Sequence, residues 1–275
     1  MKNQFKLLLL MLITSAMGFG QVKEIFKKSY DAKNLKTLSL DLDGAYVQID
    51  ESPDNKVHFN YTVEFENYSD KKMNEKLNEI STSAKITDNT LQFKTYSNNT
   101  ASDISFSIET LYGVTFEGDN ITFKQPTARQ FRKSKQSFIS LDGNARIKSL
   151  KEYLKNLRAL DEKGNKRKIK EKNVKILKTK FFIKIPRDLN LHVVAMNSSM
   201  TFNLNLNSNL TFNTRKTSLK FQNIENPLNV FDVVNGSFRA NVLEGGSYKF
   251  THADEVQVAQ LKSVNIDTEF SDVKI

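Results

Sequence analysis

The sequence predicts an all-β protein organised as a β-solenoid, and three observations carry that prediction. Long stretches alternate apolar and polar residues with period 2, the pattern of a strand buried on one face. Turn residues, among them Asp43-Gly44, "SPDN" at 52–55 and Asn235-Gly236, separate those stretches. A segment near the C-terminus then repeats at an interval of 19 residues, as "VVAMNSSMTF", "FNTRKTSLKF" and "FDVVNGSFRA". Val193, Phe212 and Phe231 fall in register, as do Ser199, Ser218 and Ser237, and then Met200, Leu219 and Phe238. One such unit cannot bury its own apolar row, whereas stacked units bury a continuous one. Burying each of those apolar side chains is worth roughly 1.5–3 kcal/mol. The serines and Asn235-Gly236 are expected in the turns, where short polar groups bond neighbouring backbone. Thr217 is expected there too, and to tolerate an aspartate. A meander or sandwich of equal hairpins would show the same spacing and stays open as an alternative. After Ala240 the period loosens, since Ser263 stands 26 residues beyond Ser237.

From the N-terminus, "MKNQFKLLLLMLITSAMGFG" reads as a signal peptide over 1–20. Lys2 and Lys6 make a positive start, Leu7 to Ile13 an apolar core, and Ala16, Gly18 and Gly20 a small-residue cleavage region. The apolar core is shorter than the ~20 residues that span a bilayer. No cysteine stands near it, so a lipoprotein anchor is excluded, and no later segment is apolar enough to cross a membrane. The absence of cysteine from the whole chain also excludes thiolate metal sites, thiol nucleophiles and disulfides. A chain of this length can bury a sufficient core without such bridges.

Residues 21–123 are expected to form an N-terminal β module. Leu38, Leu40 and Leu42, then Val47 and Ile49, then Val57, Phe59, Tyr61, Val63 and Phe65 alternate as strands. "SDKKMNEKLNEI" breaks the pattern: Met73, Leu77 and Ile80 recur at helical spacing, and Ser69 or Asp70 can cap a short helix near 70–80. Residues 124–173 are expected to be a basic, partly irregular insertion. Within it, "SLKEYLKNLRAL" places Ser149 and Glu152 at capping-box spacing and predicts a second helix over 149–160. "KGNKRKIKEK" reads as solvated and mobile. Residues 174–275 carry the repeats.

The net charge of +10 is concentrated. Residues 129–187 hold 20 basic and 5 acidic side chains, while the flanking parts are close to neutral. Such a segment attracts polyanions, and Lys166, Arg167, Lys168, Lys170 and Lys172 are the candidate contacts. Catalytic signatures are weak. His58, His192 and His252 lack metal-ligand spacing, "SDKK" at 69–72 has the Ser-x-x-Lys spacing but opens a helix, and no glycine-rich phosphate loop occurs. The expectation is a non-enzyme without cofactor or metal.

A strand module, then "IPRDLNLHVVAMNSSMTFNLN", then "VVNGSFRANVLEG", resembles the head-GIN-type, adhesin-like families of β-strand repeats common in Bacteroidetes. Pro186, Leu191 and Val193 match the proline-preceded entry strand, and Asn235, Gly236, Ser237 and Phe238 match the turn. The likeness covers about 180–275, with a weaker echo at 35–65; "MNSS" and "RKTS" depart from it by lacking the glycine. It implies a right-handed β-solenoid in the periplasm or on the cell surface, non-catalytic, presenting a repetitive face to a surface glycan or protein. The alternative is an envelope protein that holds lipopolysaccharide phosphate or extracellular DNA through 129–187.

Overall fold

A computed structural model describes residues 20–97, 104–108, 158–160, 166–168 and 174–275, the three short stretches among them as backbone only. The chain runs through β1 (Gln21–Asp31), β2 (Thr37–Asp43), β3 (Tyr46–Glu51), β4 (Lys56–Glu66), α1 (Asp70–Asn78), β5 (Ile80–Thr87) and β6 (Thr90–Ser97). Next come β7 (Ile104–Ile108), β8 (Arg158–Leu160), β9 (Lys166–Lys168) and β10 (Val174–Ile185). The C-terminal part holds β11 (Asn190–Met196), β12 (Ser199–Phe202), β13 (Leu210–Arg215), β14 (Ser218–Lys220), β15 (Asn223–Glu225) and β16 (Val230–Val234). It ends with β17 (Ser237–Glu244), β18 (Ser247–Thr251), β19 (Glu255–Lys262), β20 (Asn265–Glu269) and β21 (Val273–Lys274). Among the described residues the protein is therefore all-β apart from α1, whose Met73 is buried.

Two sheets carry the core. One runs in the order β5-β6-β2-β11-β13-β16-β18-β20, the other β1-β4-β10-β3-β12-β14-β17-β19-β21. Each rung contributes one strand to each sheet, and successive rungs pair in parallel. Val193 pairs with Phe212, Phe212 with Phe231 and Phe231 with Tyr248 in the first sheet. Met200 pairs with Leu219, Leu219 with Phe238 and Phe238 with Val256 in the second. Asp43-Gly44 and Asn235-Gly236 do not close hairpins: the strands on either side of each turn lie in different sheets.

Inside, rings pile up along the stack and meet edge-on across it. Phe212 and Phe231 stack at 4.7 Å and 10°, Phe231 and Tyr248 at 4.9 Å and 20°, Phe202 and Phe221 at 4.5 Å and 12°. Phe221 meets Phe212 at 77° and Phe231 at 86°. Both geometries suit the ring quadrupole, each pair adding about 0.5–1.5 kcal/mol beyond area burial. Leu206, Ile224 and Leu243 form a third buried apolar column.

The stack reaches back into the N-terminal module. β2 pairs in parallel with β11, Leu40 opposite Val193, and β3 pairs with β12, Val47 opposite Met200. The echo at 35–65 is thus partly a rung of the same two sheets. By compactness the chain divides into one unit of Glu24–Val63, Asp70–Ser105 and Thr179–Ile275, and another of Met1–Lys23, Glu64–Ser69 and Phe106–Lys178. Within the second unit Phe65 meets Tyr68 edge-on at 5.2 Å and the Lys175 ammonium lies 5.8 Å from the Tyr68 ring centroid.

Four sequence expectations need correction. Arg158–Leu160 is a strand, not the last turn of a helix; it pairs antiparallel with β9, and a helix of a dozen residues is marginal against such pairing. Lys166–Lys168 correspondingly is strand within the stretch expected to be solvated and mobile. Beyond Ala240 the 19-residue period gives way to a shorter one rather than to the 26-residue step to Ser263: Ser237 faces Glu255, 18 residues on, and Phe231 faces Tyr248, 17 on. The rung shortens because Gly245 and Gly246, at φ 72° and 89°, turn the chain in less length, and a Cβ on Gly245 would sit 2.6 Å from Pro227 Cα. Finally, Ser199, Ser218 and Ser237 open strands rather than fill turns, and Thr217 is buried.

Candidate functional site

The turns explain how the outer surface is kept in register. Gly44, Asn197, Lys216, Asn235, His252 and Phe270 all sit at positive φ, one per rung, where the chain passes from the first sheet to the second. In all but the last rung the N–H reaches the next one: Gly44 donates to Met196 O at 3.1 Å, Asn197 to Arg215 O at 3.1 Å, Lys216 to Val234 O at 2.9 Å, Asn235 to Thr251 O at 3.0 Å and His252 to Glu269 O at 2.8 Å. The left-handed position is therefore filled by asparagine and lysine as well as glycine, and "MNSS" and "RKTS" turn as "VNGS" does. In Asn235-Gly236 it is the asparagine that takes the positive φ. The glycine is needed for space, since a Cβ there would lie 2.3 Å from Thr217 O.

The residue after each left-handed position is small, and in all but the last rung it is buried: Ala45, Ser198, Thr217, Gly236 and Ala253, with Ser271 half-buried at the end. Ser198 Oγ accepts from Ala45 N at 3.1 Å and donates to Met196 O at 2.7 Å; Thr217 Oγ1 donates to Arg215 O at 2.9 Å. Sequence reasoning missed this column by one residue, taking the adjacent serines for the signal. Those serines form a ladder on the surface, where Ser237 Oγ donates to Ser218 Oγ at 2.8 Å. Buried columns are thus Val193, Phe212, Phe231 and Met200, Leu219, Phe238.

On the outer face of the second sheet, Thr201, Lys220, Arg239, Gln257 and Lys274 occupy one column, paired rung to rung. Arg239 pairs with Glu255 and Lys274 with Asp272, while Gln257 Nε2 donates to Glu255 Oε1 at 2.7 Å. The Arg239 guanidinium holds the Glu255 carboxyl below its ordinary range. Beside this column opens a shallow depression of about 380 Å³. Lys220, Arg239, Asn241 and Gln257 line it, beside Phe221, Ala240 and Val258, whose side chains are buried in the core.

A second arrangement has the elements of a proton relay. Ser29 Oγ donates to His58 Nδ1 at 2.8 Å, and His58 Nε2 donates to Asp54 Oδ1 at 2.7 Å. Ser52 also donates to Asp54 Oδ1, at 3.0 Å. The His58 hydrogen bond is the main cause that holds the Asp54 carboxyl below its usual range. All of these groups are solvent-accessible, the imidazole 29% and the carboxylate 46% exposed. No spacing signal in the sequence linked them, because Ser29 lies on β1 and meets His58 only through strand packing. His192 is exposed on β11, and His252 stacks on Phe270 at 5.1 Å. Among the described residues no group of three His, Asp or Glu is placed to hold a metal.

Of the candidate polyanion contacts, Lys166, Arg167 and Lys168 form β9, with Arg158 of β8 opposite Lys168 and Leu160 opposite Lys166. Lys170 and Lys172 lie outside the described residues, as do 149–157 of the expected helix and all but Gly20 of the expected signal peptide. No helix of the described residues is long and apolar enough to cross a membrane.

No family model matches the chain, and no curated protein matches it. Among solved structures, one from Clostridium sporogenes described as a "putative cell adhesion protein" is similar at 9% identity, with a TM-score of 0.35 over 92% of this chain and 100% of that one. A likeness this distant fixes neither a shared fold nor a shared function.

Proposed function

We propose that the chain is a non-catalytic, exported, adhesin-like module: a right-handed β-solenoid of the kind the Bacteroidetes resemblance implies, presenting a repetitive β surface to a partner in the cell envelope. The observation that carries this reading is the rung-to-rung register, which sets one outer residue of each rung directly beside the next. Handedness follows the general rule that parallel strands joined by a crossover are right-handed in about 98% of cases. Export rests on residues 1–20, whose charged start and short apolar core are those of a secretory signal. The non-catalytic reading weighs the Ser29–His58–Asp54 chain against its exposure. Relays of this kind act where water is excluded and charge is stabilised by fixed dipoles. Here both the imidazole and the carboxylate face solvent, and the three bonds instead tie the 52–55 turn to β1 and β4.

Cell fractionation and adhesion assays on a strain lacking the gene test the reading: the protein should travel with the envelope, and its loss should reduce attachment. Retention in the cytoplasm, or unchanged attachment, would overturn it. A fluorophosphonate probe should leave Ser29 unlabelled, and labelling abolished by His58→Ala would overturn the non-catalytic part.

A second reading has its own observation. In β8 and β9, Arg158, Lys166, Arg167 and Lys168 supply four cations and no acid in six paired residues. Such a focus would hold lipopolysaccharide phosphate or DNA without sequence preference, and release it as salt rises. Neutralising Lys166, Arg167, Lys168, Lys170 and Lys172 together should weaken that binding and leave the melting temperature unchanged.

A further inference from the structure

The depression beside the Lys220–Arg239–Gln257–Lys274 column has a repeat spacing and a charge that select a ligand. We propose that it binds a linear acidic glycan, a chain of uronate-type sugars laid along the stack so that successive rings meet successive rungs. This inference rests on the adhesin-like reading and names the partner class for it.

Two features carry it. The first is spacing. Paired strands stand about 4.8 Å apart, which is close to the advance of one pyranose ring in an extended chain. A ligand with that repeat can make equivalent contacts to Lys220, Arg239, Gln257 and Lys274, which the backbone register holds in one line. The second is charge. Arg239 and Lys274 each have an acidic neighbour, but Lys220 has no ion-pair partner among the described residues. The Arg239 guanidinium already receives one carboxylate, that of Glu255, in the plane of the outer face. Sugar carboxylates entering the same line would meet Lys220 and share Arg239 and Lys274, while the Gln257 and Asn241 side chains offer amides to ring hydroxyls.

The register also explains why the line stops where it does. Towards the N-terminal side the column continues as Thr201 and then Gln48, which carry no charge. The stretch from Lys220 to Lys274 therefore carries three cations, Lys220, Arg239 and Lys274, in four rungs.

Calorimetry with the full chain tests this, using oligogalacturonates of two to eight rings against neutral malto-oligosaccharides of equal length. Affinity for the acidic series should climb until about four rings and then level off, and should exceed that of the neutral series by at least about tenfold. The double variant Lys220→Gln/Lys274→Gln, both exposed, should lose at least about tenfold without a change in melting temperature. Lys249→Gln, on the other sheet, should bind as the unaltered protein does. Equal affinity for acidic and neutral chains, no dependence on length, or an unaffected Lys220→Gln/Lys274→Gln variant would each overturn the proposal. Cells carrying that double variant separate the two readings. If they attach normally while cells lacking the protein do not, the glycan site fails and the adhesin-like role stands; if loss of the protein changes nothing, the role itself fails.

Discussion

The middle rungs and the last rung have the same backbone and different interiors. In the middle, Phe212 and Phe231 are each 1% exposed and Phe238 is fully buried. At the same register in the last rung, Ile266 and Val273 are only half-buried, and Phe270 at the corner is 78% exposed. The strands β20 and β21 pair as faithfully as any others, with five and two residues in register. Register therefore comes from backbone ladders and corners, which need a neighbour on one side. Burial needs a neighbour on both. In a one-dimensional stack each interior rung is held by two interfaces and each terminal rung by one, so the same substitution should cost less towards the end.

The sharpest break of that contrast is in the middle. Phe212→Asp places an unpaired charge between Phe231 and the edge-on rings of Phe202 and Phe221. It should cost more than ~4 kcal/mol or abolish folding. Chemical denaturation with circular dichroism as the readout would measure it. A loss below about 1 kcal/mol would mean that the ring column is not the core.

Thr217→Asp comes next, and here the structure reverses the expectation from sequence. The side chain is 1% exposed, and its hydroxyl bonds the corner backbone of its own rung. A carboxylate there meets carbonyl oxygens, with a cost of about 3 kcal/mol. The reversal shows where the sequence was legible. Alternation and the 19-residue repeat identified the inward residues, because each reports a periodic property of one chain segment. They also located the module's first strands and the short helix at 70–80. What lay out of reach depends on contacts between distant segments. Nothing in "LSLDLDGAYVQID" says that Leu40 will face Val193 rather than close a hairpin on Val47. A corner residue looks like a turn residue in sequence, since both are short and polar. The difference is that the corner's N–H groups are bonded to the next rung, so it cannot relax into solvent. The candidate site shared this fate: its column is assembled from residues 17 to 19 apart whose identities, Lys, Arg, Gln and Lys, form no motif.

Gly236→Ala tests the corner more gently. A methyl placed 2.3 Å from Thr217 O must push backbone, not a flexible side chain. The equivalent positions Ser198 and Thr217 do carry a Cβ, so the corner as such tolerates one, and the strain belongs to this rung alone. A cost of about 1–3 kcal/mol is expected, the range for overpacking a filled site. Equal stability of the two proteins would show that the rungs slide past one another to make room.

The smallest effect is expected at the end of the stack. Phe270 occupies the same left-handed corner position as Asn235, at φ 48° against 51°. For a bulky residue that conformation is strained, at of order 1–3 kcal/mol. Its ring lies against His252 of the preceding rung, the two centroids 5.1 Å apart, yet most of its surface remains in water. Two opposing changes therefore follow from Phe270→Asn. The ring contact is lost, and a residue better suited to positive φ takes its place. With burial this slight the two should nearly cancel, leaving stability within about 0.5 kcal/mol of the starting protein. Phe270→Gly relieves the same strain without offering any side chain and should fall in the same range. If either change instead cost as much as Gly236→Ala, the last corner would be as tightly held as the middle ones, and the contrast between interior and terminal rungs would not survive. Hydrogen exchange gives an independent reading: the amides of β20 should exchange well before those of β13 and β16, with Phe270→Asn leaving that order unchanged.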